Sequence, residues 1–201
     1  MKLIIATKNQ GKLKEIKQQL EPLGITILSL HDYPEIPAIV EDGDTFVENA
    51  GKKAHAISQI THEWVLADDS GLEVKALHGE PGVQSARYAG ENSSDQKNNK
   101  KLLSEIQSIP LDQRQARFVC VMILMAPDQQ EWILEGQCQG SIITSPRGNN
   151  GFGYDPIFWI SEKNKTMAEI DLDEKNLISH RGKALKQLVT LLQNLSPLSK
   201  G

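Results

Sequence analysis

The sequence predicts an α/β fold on a mixed sheet, and three observations predict it. Two short apolar runs, Lys2-Leu3-Ile4-Ile5-Ala6 and Trp64-Val65-Leu66-Ala67, have the length and composition of buried strands. Segments with apolar residues at helical spacing alternate with the strands. A strongly apolar stretch, 116–126, is followed across Pro127-Asp128-Gln129-Gln130 by a second strand-like stretch, 131–144, which predicts a hairpin.

In chain order, the first strand precedes a helix whose Leu13, Ile16, Leu20 and Leu23 share a face, with Gly24 as its stop. A second strand covers 25–30. Pro34, Pro37 and Gly43 mark 32–44 as loop. Thr45 and Glu48 have capping-box spacing and open a helix reaching about Ile60. The strand at 64–67 is expected to end in the turn-like Asp68-Asp69-Ser70-Gly71, with a further short strand at 72–77. Three glycines and Pro81 make 79–90 a loop, and 95–108 reads as helix. After the hairpin, 145–153 is Gly- and Asn-rich loop, 156–160 a short strand, and 179–195 a last helix with Leu185, Leu188, Leu192 and Leu195 at helical spacing. No composition shift marks a domain boundary. The expected unit is a single domain over 1–195, followed by a polar, mobile tail at 196–201.

The 201 residues suffice for a sizeable core, and 39% hydrophobic with 24% charged residues is ordinary globular usage. Twenty-two basic against 26 acidic residues give a net charge of -4, which argues against nucleic acid as a partner. No apolar run is long enough to span a membrane, and the apolar stretch at the N-terminus is too short for a secretory signal. Cys120 and Cys138 fit no zinc or CxxC spacing, so two reduced thiols in a cytoplasmic protein are expected.

Five segments carry possible chemistry. Thr7-Lys8-Asn9-Gln10-Gly11-Lys12 joins a buried strand to an amphipathic helix. Unpaired N–H groups and the dipole at that helix start attract anions, and Lys12 adds a full charge, although the P-loop pattern is absent. An ordinary turn with solvated lysines explains the segment equally well. Asp68-Asp69-Ser70-Gly71 places acids at the carboxyl end of a strand, the usual ligand side of an α/β sheet. One of them can hold Mg²⁺ with water and phosphate oxygens, and capping of the next element is the alternative. Glu41 is a possible second metal ligand, and Glu48, Asn49, Lys52 and Lys53 follow it on a helix that otherwise reads as a solvated face.

In Gly151-Phe152-Gly153-Tyr154-Asp155-Pro156 the glycines allow close backbone approach and the rings can stack on a flat heterocycle. Aromatic packing at a hairpin corner is the competing reading. Lys175 precedes Ser179-His180-Arg181-Gly182-Lys183, where Ser179 suits an N-cap. His180 and Arg181 then place positive charge in a first helical turn, which is unfavourable unless an anion or polar ligand meets it. No Ser-His-Asp or Cys-His nucleophile arrangement is visible.

Taken in order, TKNQGK, VEDGDTFVENAGKKA, LADDSGLEV with GEPGVQSARYAG, GFGYDPIF and SHRGKAL resemble the Ham1/RdgB-type noncanonical purine nucleoside triphosphate pyrophosphatases, also called inosine triphosphate pyrophosphatases. The resemblance runs from Thr7 to Leu185. Lys75 and Gln84 depart from it, standing where an acid and an aromatic or aliphatic residue are more usual. It implies two α/β lobes on a long mixed β-sheet with the active-site cleft between them, a cytoplasmic homodimer, and one divalent cation per subunit, usually Mg²⁺. The implied reaction converts ITP, dITP or XTP to the monophosphate and pyrophosphate. By the same resemblance, Thr7, Lys8, Asn9, Gln10, Gly11 and Lys12 cradle the triphosphate, with help from Lys53. Asp69 is metal ligand and general base, Glu41 a second metal ligand, and Ser70 a substrate contact. Phe152, Gly153, Tyr154 and Asp155 line the base and sugar pocket, and Lys175, His180 and Arg181 complete the base contacts.

Overall fold

The structure, a computed structural model, describes residues 1–195; the expected tail at 196–201 lies outside them. Seven strands form one sheet: β1 (Lys2–Ile5), β2 (Thr26–Ser29), β3 (Trp64–Val74), β4 (Gln115–Met125), β5 (Glu131–Ile142), β6 (Phe158–Ile160) and β7 (Lys165–Thr166). Their order is β2-β1-β3-β4-β5-β6-β7. β1 runs parallel to β2 and β3, whereas β6 is antiparallel to β5 and β7, so the sheet is mixed as expected. Five helices accompany it among the described residues: α1 (Gln10–Leu20), α2 (Phe46–Thr61), α3 (Asp95–Glu105), α4 (Leu172–Ile178) and α5 (His180–Leu195).

The chain divides into two compact units. Of the described residues, the first comprises Met1–Asp69, Cys120–Gly136 and 181–195. Its core joins Leu3 and Ile5 of β1, Ile16 and Leu20 of α1, and Leu185 and Leu188 of α5. The second comprises Ser70–Val119 and Gln137–His180. There Leu72 and Val74 of β3 pack with Leu102 of α3, Phe118 of β4 and Phe158 of β6. Cys120 and Cys138 are both buried thiols.

Three expectations need correction. Asp68-Asp69-Ser70-Gly71 is not a turn: β3 continues through it to Val74. Turn-forming residue types stay in the strand because their buried polar groups find partners there, described below. Lys75–Leu77 is consequently a short 3₁₀ turn and not a strand. The first helix stops at Leu20, since Pro22 has no N–H to continue it; a 3₁₀ turn, Glu21–Leu23, carries the chain to Gly24 at φ +67. Helix α4 was not expected. Its seven residues are too few for a readable period, although Asp171 caps it by accepting from the Glu174 N–H.

Candidate active site

The first unit gathers the charged residues of the early motifs. β1 leads directly into α1, whose first turn carries no acid. Asn9 is its N-cap: its side-chain oxygen accepts from the Lys12 N–H at 3.0 Å, and Thr7 Oγ1 accepts from the Asn9 N–H at 3.1 Å. Both side chains therefore shape the turn that presents the N–H groups of Gln10 and Gly11 at a positive helix end. Lys8 is exposed, and the Gln10 amide meets the His31 ring at 2.8 Å.

Because β3 continues, Asp68 and Asp69 point to opposite sides of the strand. Asp68 is buried and anchors an ion-pair network. Lys12 Nζ lies 2.9 Å from its Oδ2 and Arg181 Nη2 3.4 Å, while Arg181 Nη1 donates to Glu15 Oε2 at 2.7 Å. Arg181 is only 1% exposed, so its charge is met inside the protein by two carboxylates. Burial by itself would raise the Asp68 carboxyl; the charges of Lys12, Arg181 and Lys53 outweigh it and hold the group well below the usual carboxylate range.

Asp69 has the opposite character. Its Oδ2 accepts from Asn49 Nδ2 at 3.1 Å. Burial pushes its carboxyl upward and the neighbouring Glu41 charge adds to this, against the lowering effects of Lys53, Lys12 and the Asn49 bond. Lys53 Nζ, on α2, donates to Glu41 Oε2 at 2.8 Å and to the Asp68 carbonyl at 2.6 Å. Helix α2 is set by the expected capping box: Thr45 Oγ1 accepts from the Glu48 N–H and Glu48 Oε2 from the Thr45 N–H. Asn49 also grips the loop ahead of the helix, accepting from the Gly43 N–H at 2.8 Å. A Cβ on Gly43 would lie 2.9 Å from that Asn49 oxygen, so only glycine permits the approach.

Among the described residues no three His, Cys, Asp or Glu side chains converge as a ready metal cage. Asp69 and Glu41 nevertheless fit a hard divalent cation. Both are oxygen donors, and they repel each other across a partly buried site. Magnesium takes one or two carboxylates and completes its shell with water and phosphate oxygens.

The second unit holds the later motifs. Asp155 is buried and its Oδ2 accepts from both the Phe152 N–H, at 2.9 Å, and Lys175 Nζ, at 2.6 Å. That ammonium also sits 4.8 Å from the centroid of the half-buried Phe152 ring. Tyr154 belongs to the core, with its hydroxyl donating to the Ser85 carbonyl at 2.9 Å. The His180 ring stacks on Phe118 with centroids 4.7 Å apart. Ser70 is half-buried on β3, and Gln84 accepts from Arg87 Nε at 2.6 Å.

The structure thus brings Lys12, Lys53, Glu41, Asp69 and Arg181 into one unit, and Phe152, Asp155 and Lys175 into a second cluster. Sequence reasoning missed Glu15, the hold of Asn49 on Asp69 and the role of Asp68. Only the unfavourable positive charge at the start of α5 signalled that an anion was needed, and it did not say which.

A family model described as the Ham1 family matches residues 3–191. The chain belongs to the Ham1 family. The resemblance read from its five motifs is borne out. Among curated relatives, this Ham1 chain is 54% identical over 187 residues to the dITP/XTP pyrophosphatase of Geobacter sulfurreducens, covering 93% of this chain and 94% of that protein. It is 49% identical over 195 residues to that of Desulforamulus reducens, covering 97% of each. The Staphylococcus aureus Ham1 protein superposes with a TM-score of 0.87 at 40% identity, over 98% of this chain and 100% of the other. The Coxiella burnetii HAM1 protein gives 0.88 at 42% identity, over 96% and 99%. Among the described residues no helix is long and apolar enough to cross a membrane.

Proposed function

We propose that this chain hydrolyses noncanonical purine nucleoside triphosphates, namely ITP, dITP and XTP, to the monophosphate and pyrophosphate. The observation that carries this is the meeting of Asp69 and Glu41 with Lys53, beside a helix start bearing Lys12, in a chain half identical to dITP/XTP pyrophosphatases along almost its whole length. Neither half of that observation suffices alone: the charges support a polyphosphate site, and the relatives' names support dITP and XTP as nucleotides that enter it.

In this reading the segment Thr7–Lys12 takes the phosphates through N–H groups at the start of α1, with Lys12 and Lys53 neutralising charge. Asp69 and Glu41 would hold one divalent cation, Mg²⁺ being the expected ion. When bound, the cation supplies charge neutralisation at the phosphates and favours ionisation of water. Asp69 acts first as cation ligand and second as acceptor of a proton from the attacking water. Asn49 holds that carboxylate in place. The leaving group is pyrophosphate, whose developing charge faces Lys12 and Lys53.

Phe152 offers a face for the base, while Gly153, Tyr154 and Asp155 shape its loop and Ser70 contacts the substrate. Lys175, His180 and loop N–H groups supply donors to the 6-oxo group of hypoxanthine or xanthine. The amino group of adenine leaves such donors unpaired, a penalty of about 1–3 kcal/mol for each. A base contact from Arg181 would require it to leave Glu15 or Asp68, so this reading keeps Arg181 with its carboxylates. A cytoplasmic homodimer completes the proposal.

Incubation of the full chain with ITP and Mg²⁺, with all phosphorus products resolved, tests it. Equal amounts of IMP and pyrophosphate are expected. Orthophosphate instead would indicate a phosphohydrolase or phosphotransferase, and intact ITP a nucleotide-binding module without catalysis.

A further inference from the structure

The loop carrying Phe152 is an irregular segment with Gly151 at φ +74 and Gly153 at φ +62. Such backbone has no ladder of its own, and its polar groups need outside partners. Helix α3 supplies them. Asp95 Oδ2 accepts from the Gly153 N–H at 2.6 Å, and Asn99 Nδ2 donates to the Gly153 carbonyl at 3.1 Å. The two side chains are four residues apart, hence on one face of the helix, and together they engage both backbone polar groups of one glycine.

Asn99 is buried to 7% exposure, and its Oδ1 has no hydrogen-bond partner among the described residues. The amide cannot be turned to satisfy that oxygen without setting it against the Gly153 carbonyl, acceptor against acceptor. A leucine here would bury without an orphan acceptor. The asparagine therefore costs stability that is offset only by its hold on the loop. The preceding residue extends the anchorage: Asn98 accepts from the Ala89 N–H at 2.8 Å and donates to the Ser85 carbonyl at 3.3 Å, the same carbonyl that Tyr154 engages.

We infer that Asp95 and Asn99 form a clamp on Gly153 that sets where Phe152 stands, making them positioning residues for the purine base. This rests on the assignment of Phe152 to the base made above. Asp95 fixes the peptide on the C-terminal side of Phe152 and Asn99 the peptide after it, while Asp155 fixes the Phe152 N–H, so the ring is held from both flanks. The Asp95 bond is charge-assisted and lies in the first turn of α3, where an acid is favourable.

The test compares wild type with Asn99→Leu, Asp95→Ala and Asp95→Asn in the full chain with Mg²⁺. IMP affinity reads the base and sugar contacts, and pyrophosphate affinity reads the phosphate contacts. Asp95 is exposed, so its variants do not threaten folding. Asn99→Leu and Asp95→Ala should each weaken IMP binding and raise KM for ITP about tenfold, with pyrophosphate affinity unchanged. Asp95→Asn, which keeps an acceptor, should recover much of the loss. Unchanged IMP affinity in Asp95→Ala overturns the clamp, as does a parallel loss of IMP and pyrophosphate affinity. A wild-type chain that leaves ITP whole yet binds IMP in an Asp95-dependent manner overturns the hydrolase reading and upholds the clamp.

Discussion

At the scale of single residues, two adjacent aspartates of β3 do different work because the strand turns them to opposite sides. Asp68 is paired directly with Lys12 and Arg181, whereas Asp69 accepts from the Asn49 amide and feels the Glu41 charge as well as those of Lys53 and Lys12. The proposed catalysis needs the second. Asp69→Asn should nearly abolish ITP turnover while the folded structure, followed by circular dichroism, stays intact. Turnover retained at about a tenth or more of wild type would remove Asp69 from the chemistry, since a general base and cation ligand together should contribute at least about 10²-fold. Lys12 and Asp69 were conspicuous in the sequence as charge beside a helix start and a strand end, whereas the helix of Lys53 read by itself as a solvated face and only the family resemblance brought that lysine to the phosphates. Glu15 was not conspicuous. It reads as one more polar position on α1, and its partner Arg181 lies 166 residues away. Nothing local announces such a pair.

Elements differ in how fully their own residues specify them. Helix α2 begins where its capping box dictates, and that start aims Asn49 and Lys53 at β3. Thr45→Ala should lower unfolding free energy by about 1 kcal/mol, as read by urea denaturation, with loss of the bond to the Glu48 N–H. An unchanged midpoint would mean that the cap is redundant with the packing of α2. The mixed sheet, the 116–144 hairpin and most helices were readable from periodicity and turn chemistry. β3 was not, because Asp-Asp-Ser-Gly is turn vocabulary and only distant partners keep it extended. Helix α4 escaped notice because seven residues present less than two turns of pattern.

Across the whole molecule, the buried charges make stability depend on pH in a definite direction. Asp68 titrates well below its unfolded value of about 3.9. Between the folded and unfolded values the unfolded chain binds the extra proton, so stability rises with pH there. The contribution is complete above about pH 5 and is lost as pH falls toward the folded value. Asp69 acts with the opposite sign: its raised carboxyl subtracts stability as pH climbs from the unfolded toward the folded value. Asp68→Asn should therefore destabilise the chain at neutral pH and flatten the acid limb of a stability–pH profile. A variant that keeps the wild-type acid limb would show that Asp68 does not govern it.

Each of the two α/β units has its own core and its own cluster of motif residues. The family could be read from the order and residue types of motifs along the whole chain, while the partners of each side chain, set by the fold, could not. The central claim is that this chain directs water to the α-phosphorus of a 6-oxopurine triphosphate. Hydrolysis of ITP in oxygen-18 water, with mass analysis of the products, tests it most directly: heavy oxygen should appear in IMP and not in pyrophosphate. Label in pyrophosphate, or release of labelled orthophosphate, would contradict it.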